Sequence, residues 1–110
     1  MADRLHVNII DNPEHHRVEA RTEDGQLAGF SQYYVRDGAY VFFHTEVDDA
    51  FEGQGIASQI AHGVIEFVQH RRMPIVAECE FIRGWMRKHP DTHKCLASSF
   101  SWDAYNDGPM

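Results

Sequence analysis

Residues 39–57 constrain the chain more than any other stretch. An apolar strand pattern from Ala39 to Val47 gives way to Asp48-Asp49-Ala50-Phe51-Glu52-Gly53-Gln54-Gly55, and a helical stripe begins at Ile56. A strand that feeds a glycine turn and opens at once into a helix predicts a mixed α/β architecture with a ready-made anion site at the turn. The first amides of such a helix lack intrahelical partners, and the positive end of the helix dipole lies over them. Gly53, Gln54, Gly55, Ile56, Ala57 and Ser58 therefore form a candidate anion site, and the two glycines remove side chains that would block close approach. Taken alone, the same glycines also serve an ordinary turn before a helix.

The rest of the chain supplies a single compact core. A length of 110 residues falls in the range of one domain, and 43% hydrophobic residues, with Phe 7 and Trp 2 among them, exclude a disordered chain. The net charge of −7, from 17 acidic against 10 basic residues, argues against a nucleic-acid backbone as partner, because such affinity comes from clustered Lys and Arg. It also argues against a basic membrane-binding face. Met1-Ala2-Asp3-Arg4-Leu5-His6 lacks the apolar stretch of a secretion signal, and no window reaches the length of a membrane span, so the expected location is cytoplasmic. Two cysteines in such a chain read as free thiols.

Leu5 to Ile10 is a strand candidate ended by Asp11-Asn12-Pro13, and His16 to Arg21 is a second, with Val18 and Ala20 on one side. Asp24-Gly25 and Asp37-Gly38 are hairpin signals that connect this strand to Leu27–Val35 and then to Ala39–Val47. Three antiparallel strands in a meander are the expected core. Ile56, Ile60, Val64, Phe67 and Val68 recur at helical spacing, which predicts a helix from about Gly55 to Arg72, stopped by Met73-Pro74. Ile75-Val76-Ala77 then reads as a buried strand parallel to its predecessor, because a strand-helix-strand unit of this length makes a crossover. Phe81, Ile82, Trp85 and Met86 predict a second, short helix ended at His89-Pro90. A domain over residues 1–97 is expected, followed by a tail over 98–110 whose Phe100, Trp102 and Tyr105 fold back on the domain or meet a second copy. The chain is expected as a monomer or homodimer.

Glu52-Gly53-Gln54-Gly55-Ile56-Ala57 resembles the Q/R-x-x-G-x-G/A acetyl-CoA motif of GCN5-related N-acetyltransferases. With His44-Thr45-Glu46-Val47 before it and Cys79-Glu80-Phe81 and His89-Pro90 after it, the chain is similar to the short, single-motif subfamily of about a hundred residues. The resemblance runs from about residue 7 to about residue 92. It implies acetyl-CoA as cofactor, an amine of unknown identity as acceptor, and pyrophosphate on the helix-start amides. It also implies a pantetheine arm beside the backbone of Phe43–Val47, where Thr45 and Val47 become cofactor-binding candidates.

Acetyl transfer from a thioester needs a held cofactor, a base for the attacking amine, and a way for the thiolate to leave. His44 and Glu46 lie two apart on a strand and share a face, and an imidazole has the intrinsic acidity for a base near neutral pH. The bland alternatives are a strand-end histidine and a solvated carboxylate. Cys79 matches the cysteine that the subfamily carries before its last helix. It reads as an acyl-accepting nucleophile or a proton donor, or else as a small packing residue. Arg83 and Arg87, one turn apart, are candidates for the nucleotide phosphates or a solvated basic face. His15, His16, His62, His70 and His93 read as surface residues.

Two departures from the wider superfamily stand out. The last helix reads Gly84-Trp85-Met86-Arg87 and has no tyrosine to protonate the leaving group, and Glu52 occupies the place usually held by Gln or Arg. The competing readings are a coenzyme A-binding module with little or no catalysis and a metal-binding protein using Cys79, His89, His93 and Cys95. Those four residues lack a C-x2-C pair, and Pro90 breaks the helix that would align the histidines, so the chain is expected to hold no metal.

Overall fold

The computed structural model describes residues 5–105. Five strands form one sheet in sequence order: β1 (Asn8–Asn12), β2 (Arg17–Arg21), β3 (Leu27–Arg36), β4 (Ala39–Val47) and β5 (Ile75–Ala77). The first four pair antiparallel as a meander, and β5 runs parallel to β4 after the crossover through helix α1 (Ile56–Arg71). Helix α2 (Glu80–Arg87) follows β5. The meander therefore has four strands rather than the three expected.

The first strand also lies later than its apolar pattern suggests. Residues 5–7 are taken up by α1: Gln59 donates to the Leu5 carbonyl at 2.6 Å and accepts from the Val7 amide at 3.2 Å. Asp11 and Asn12, read as turn formers, stay in the strand because both side chains have partners. Asp11 accepts from the Tyr33 hydroxyl at 2.7 Å and from Arg71 at 3.0 Å, and Asn12 donates to Glu19 at 2.9 Å. The turn itself is a 3-10 turn at Pro13–His15, closed by His16 at a φ of 53°. At the tip between β3 and β4, Asp37 and Gly38 both have positive φ, 52° and 77°, as a two-residue hairpin requires.

One face of the sheet carries the core. Val18, Ala20, Phe42, Ile75 and Ala77 are buried in one cluster with Ile56, Ile60, Val64 and Val68 of α1 and Ile82 and Met86 of α2. Tyr33, Tyr40, Phe42 and Phe67 pack edge to face or tilted, with ring centroids 4.9 to 6.4 Å apart. Gly63 lets α1 sit close to β1, since a Cβ there would lie 2.5 Å from Ile9 Cγ2. Burial of the Tyr33 hydroxyl and its hydrogen bond to the Asp11 carboxylate raise its pKa well above the ordinary tyrosine range.

The opposite face is polar and organised by a buried acid. Glu19 is 3% exposed, and its carboxylate accepts from Arg17 at 2.8 Å, Arg21 at 3.0 Å and Asn12 at 2.9 Å. Burial pushes its pKa up, but the hydrogen bonds from Arg17, Asn12 and Arg21 outweigh burial and hold it below the ordinary 4.5. A folded-state pKa below the unfolded one means that stability is fully present above about 4.5 and is lost as pH falls through the lowered value. Urea midpoints taken from pH 6 to pH 3 should therefore drop for the native protein. Glu19→Gln should be less stable at pH 6 and show a shallower drop; parallel profiles would remove Glu19 from the acid response.

Candidate functional site

The site arises where β4 and β5 part. Their parallel ladder runs Tyr40↔Ile75, Val41↔Val76 and Phe42↔Ala77, and the Cys79 amide donates to the Phe42 carbonyl at 2.8 Å before the chain turns into α2. At the same level β4 carries a bulge. Gln32 opposes His44 and Tyr33 opposes Phe42, which leaves Phe43 as the extra residue. Past the bulge, residues 44–47 keep β3 as a partner on one side and lie beyond the end of β5 on the other.

The bulge also sorts the side chains. Phe43 and His44 are successive yet both exposed on the polar face, where the Phe43 ring meets Tyr34 and the His44 ring meets Phe30. His44 Nε2 lies 3.0 Å from Glu46 Oε1, and both side chains are more than half exposed. Thr45 points the other way, into the core face. Its hydroxyl accepts from the Cys79 thiol at 3.2 Å and lies 2.9 Å from the hydroxyl of Ser31, which is fully buried. The three catalytic candidates are thus divided between the faces: His44 and Glu46 lie together on the exposed polar face, and Cys79 has Thr45 as its partner on the core face. The sequence reading missed the hydroxyl pair. Its signal was the alternation of β4, which puts Thr45 on the face opposite His44 and Glu46.

Beyond Val47, the Asp48 side chain accepts from the Ala50 amide at 2.9 Å and starts a 3-10 turn at Asp49–Phe51. Gly53 and Gly55 then take φ of 82° and 77°, a left-handed geometry that a side chain would strain. Gly55 is the N-cap of α1 and brings no side-chain cap. Next to this helix start is a cleft of about 510 Å³ lined by Val47, Phe51, Glu52, Gly53, Gly55, Ile56, Ala57 and Ser58 on one side and by Phe81 and Trp85 of α2 on the other. Its size lies within the ordinary range of ligand pockets. The helix-start amides, bare of a cap and bordering a cleft, fit a phosphate group. Trp85 closes the far end by donating to the Ser58 hydroxyl at 3.4 Å. Gln54, also a candidate, does not line the cleft, and its carbonyl accepts from the Leu5 amide at 3.3 Å.

The family model of GCN5-related N-acetyl-transferases matches residues 17–95. The chain belongs to that family. It is similar to protein NATD1 of Xenopus tropicalis, 36% identical over 47 residues, and to that of Homo sapiens, 34% identical over 47 residues. Those matches span 43% of this chain and 43% and 42% of the two relatives, so the chain matches less than half the length of either. A GCN5-like protein of Staphylococcus aureus solved by NMR has the same fold, with a TM-score of 0.62 and 17% identity, covering 92% of this chain and 98% of that one.

The remaining candidates take other places. Arg83 is buried and turned inward, and Arg87 lies over the Trp102 ring at 4.7 Å; neither lines the cleft. His93, read as a surface residue, is half-buried, with Nε2 2.7 Å from the Met86 carbonyl and its ring 5.0 Å from Trp102. His89 stacks on Trp85 at 3.9 Å, with Nδ1 2.7 Å from the Trp85 carbonyl. Cys95 accepts from Gln69 at 3.4 Å. Among the described residues, no group of three or more His, Cys, Asp or Glu is placed to hold a metal ion, and no helix is long and apolar enough to cross a membrane.

The Thr45 hydroxyl joins two buried donors, so removing it should be felt locally. Thr45→Val keeps the shape and strands the Cys79 thiol and the Ser31 hydroxyl, which should cost about 1–3 kcal/mol in urea unfolding, with Thr45→Ser recovering most of the loss. Equal stability of the valine variant and the native protein would show that the hydroxyl contacts contribute nothing.

Proposed function

We propose that the protein transfers an acetyl group from acetyl-CoA to an amine. The observation that carries this reading is the uncapped start of α1, with two left-handed glycines, opening onto the cleft beside the parted strands β4 and β5. The cofactor would supply the activated acyl group as a thioester; the protein supplies the geometry around it.

Backbone amides from Gly53 to Ser58 hold the pyrophosphate, helped by the helix dipole. Glu52 is exposed at the rim of the cleft, and its carboxylate must turn to solvent when a phosphate binds. The stretch of β4 past its last bond to the Cys79 amide, with Thr45 and Val47, offers backbone groups to the pantetheine arm. The end of the β4–β5 ladder at Phe42 supports this, because no strand of the described residues pairs with that side of β4 beyond it. Arg83 and Arg87 are engaged with the β5–α2 corner and the C-terminal segment, and the amides alone carry phosphate binding.

His44 takes the proton of the attacking amine on the polar face. With Nε2–H donated to Glu46, its Nδ1 lone pair is the accepting site, and Glu46 stabilises the imidazolium that forms. Cys79 works from the core face, either taking the acyl group on sulfur or returning a proton to the departing thiolate. The absence of a tyrosine in Glu80–Arg87 supports giving this task to the thiol. The excess of acidic residues favours a cationic or neutral amine as acceptor over a nucleic acid.

Cofactor binding is tested with Ala57→Glu. A carboxylate in the first turn of α1 favours the helix but repels a phosphate, so the variant should keep its unfolding midpoint and lose roughly tenfold or more in calorimetric affinity for coenzyme A. Unchanged affinity in the folded variant would overturn the assignment. For the chemistry, Cys79→Ala should bind coenzyme A normally while acetyl transfer to a panel of amines falls. An acetyl mass acquired by the native protein and absent from the variant marks the acyl carrier, and lost transfer without an adduct marks the proton donor. Full transfer by the variant would reduce Cys79 to packing.

A further inference from the structure

Arg83 sits one turn into α2, 6% exposed, and its contacts converge on the corner that presents Cys79. Its guanidinium Nη1 donates to the Glu78 carbonyl at 2.6 Å and to the Ala77 carbonyl at 3.3 Å, and its amide donates to the Cys79 carbonyl at 2.9 Å. Two consecutive carbonyls at the end of β5 are thus held by the guanidinium, next to the Cys79 carbonyl that takes the first backbone bond of α2. Carbonyls at such a junction need partners once they are buried, and a charged planar donor fixes their direction as water would not.

The other side of the guanidinium is covered by the C-terminal segment. The Tyr105 ring lies over Arg83 at 3.9 Å and stacks on Phe100 at 5.8 Å, while Phe100 meets Trp102 edge to face at 5.0 Å. The root of this segment is fixed on the sheet, because Leu96 bridges Ile75 and the Ala97 amide donates to the Ile75 carbonyl at 2.8 Å. Residues 97–105 therefore run from the outer edge of β5 to the side chain that holds the Cys79 corner.

The geometry points to Arg83 as a positioning residue for Cys79, held in place by an aromatic strap that ends at Tyr105. The strap acts on the thiol only through Arg83; neither residue lines the cofactor cleft. The role in turnover rests on the reading that Cys79 reacts, whereas the effect on the thiol's accessibility does not.

The test uses the full chain with Cys95→Ala, so that a single thiol remains, and follows its reaction with a small pyridyl disulfide in the absence of denaturant. With the corner held, the nearly buried thiol reacts slowly. Tyr105→Ala should speed the reaction on the order of tenfold, the scale of a lost, partly desolvated cation–π contact, and Tyr105→Phe should restore the native rate. Arg83→Met should speed it at least as much. In acetyl transfer, Tyr105→Ala should lower kcat and leave the KM for acetyl-CoA unchanged. Urea midpoints of every variant separate corner opening from global unfolding. The proposal falls if Tyr105→Ala leaves the thiol rate unchanged, if Tyr105→Phe fails to restore it, or if the rates follow the unfolding midpoints alone. Full acetyl transfer by Cys79→Ala would instead overturn the catalytic reading and leave the thiol rates as measured.

Discussion

The organisation of the molecule depends on the early end of one ladder. β5 contributes three residues, pairs with Tyr40, Val41 and Phe42, and stops. Because α2 begins three residues later, the chain turns away from β4 at Cys79, whose amide makes the last bond to Phe42 and whose thiol meets Thr45. A longer β5 would pair with Phe43–Val47 and close the side of β4 that borders the cleft. The bulge at Phe43 belongs to the same arrangement, since a strand bends and twists where an extra residue is inserted, and here it does so at the level where its parallel neighbour departs.

Two consequences follow for the chemistry. One is separation: alternation past the bulge sends His44 and Glu46 to the polar face and Thr45, with the Cys79 thiol against it, to the core face, so the imidazole and the thiol lie on opposite sides of one strand. The other is connection. Thr45 links Cys79 of the β5–α2 corner to Ser31 of β3, so the thiol is referenced to the rigid meander rather than to α2 alone. The buried Glu19 cluster and the Tyr33–Asp11–Arg71 contacts stiffen that meander on both faces.

Much of this was legible in the sequence because the signals were local. The period of α1 from Ile56 to Val68, the Asp37-Gly38 tip, the extent of β4 and the parallel β5 all follow from residues within one or two turns of one another. The first strand was misplaced because its apolar residues Leu5 and Val7 serve α1, while the polar Asp11 and Asn12 find partners on β2, β3 and α1. For the same reason this strand was not counted into the meander, which it joins by pairing with β2. The glycine motif was readable, but the partner of Cys79 was not, since Thr45 is 34 residues away and its hydroxyl looks like any strand threonine. Nor was the inward turn of Arg83, which depends on Tyr105 lying over it; a basic pair one turn apart looks the same on paper whether it faces solvent or a backbone corner.

The topology also carries a temporal consequence. β1 to β4 pair only with sequence neighbours, through three hairpin connections, whereas the cleft needs β5 to return across α1 and dock beside Tyr40, 35 residues earlier. Closing that longer loop costs more chain entropy than closing a hairpin, and contacts of high sequence separation form late. The meander is therefore a natural folding nucleus, with the cleft completed last. The hairpins can form while the chain is still short, but the shared core and the cleft beside it exist only once α1, β5 and α2 have docked.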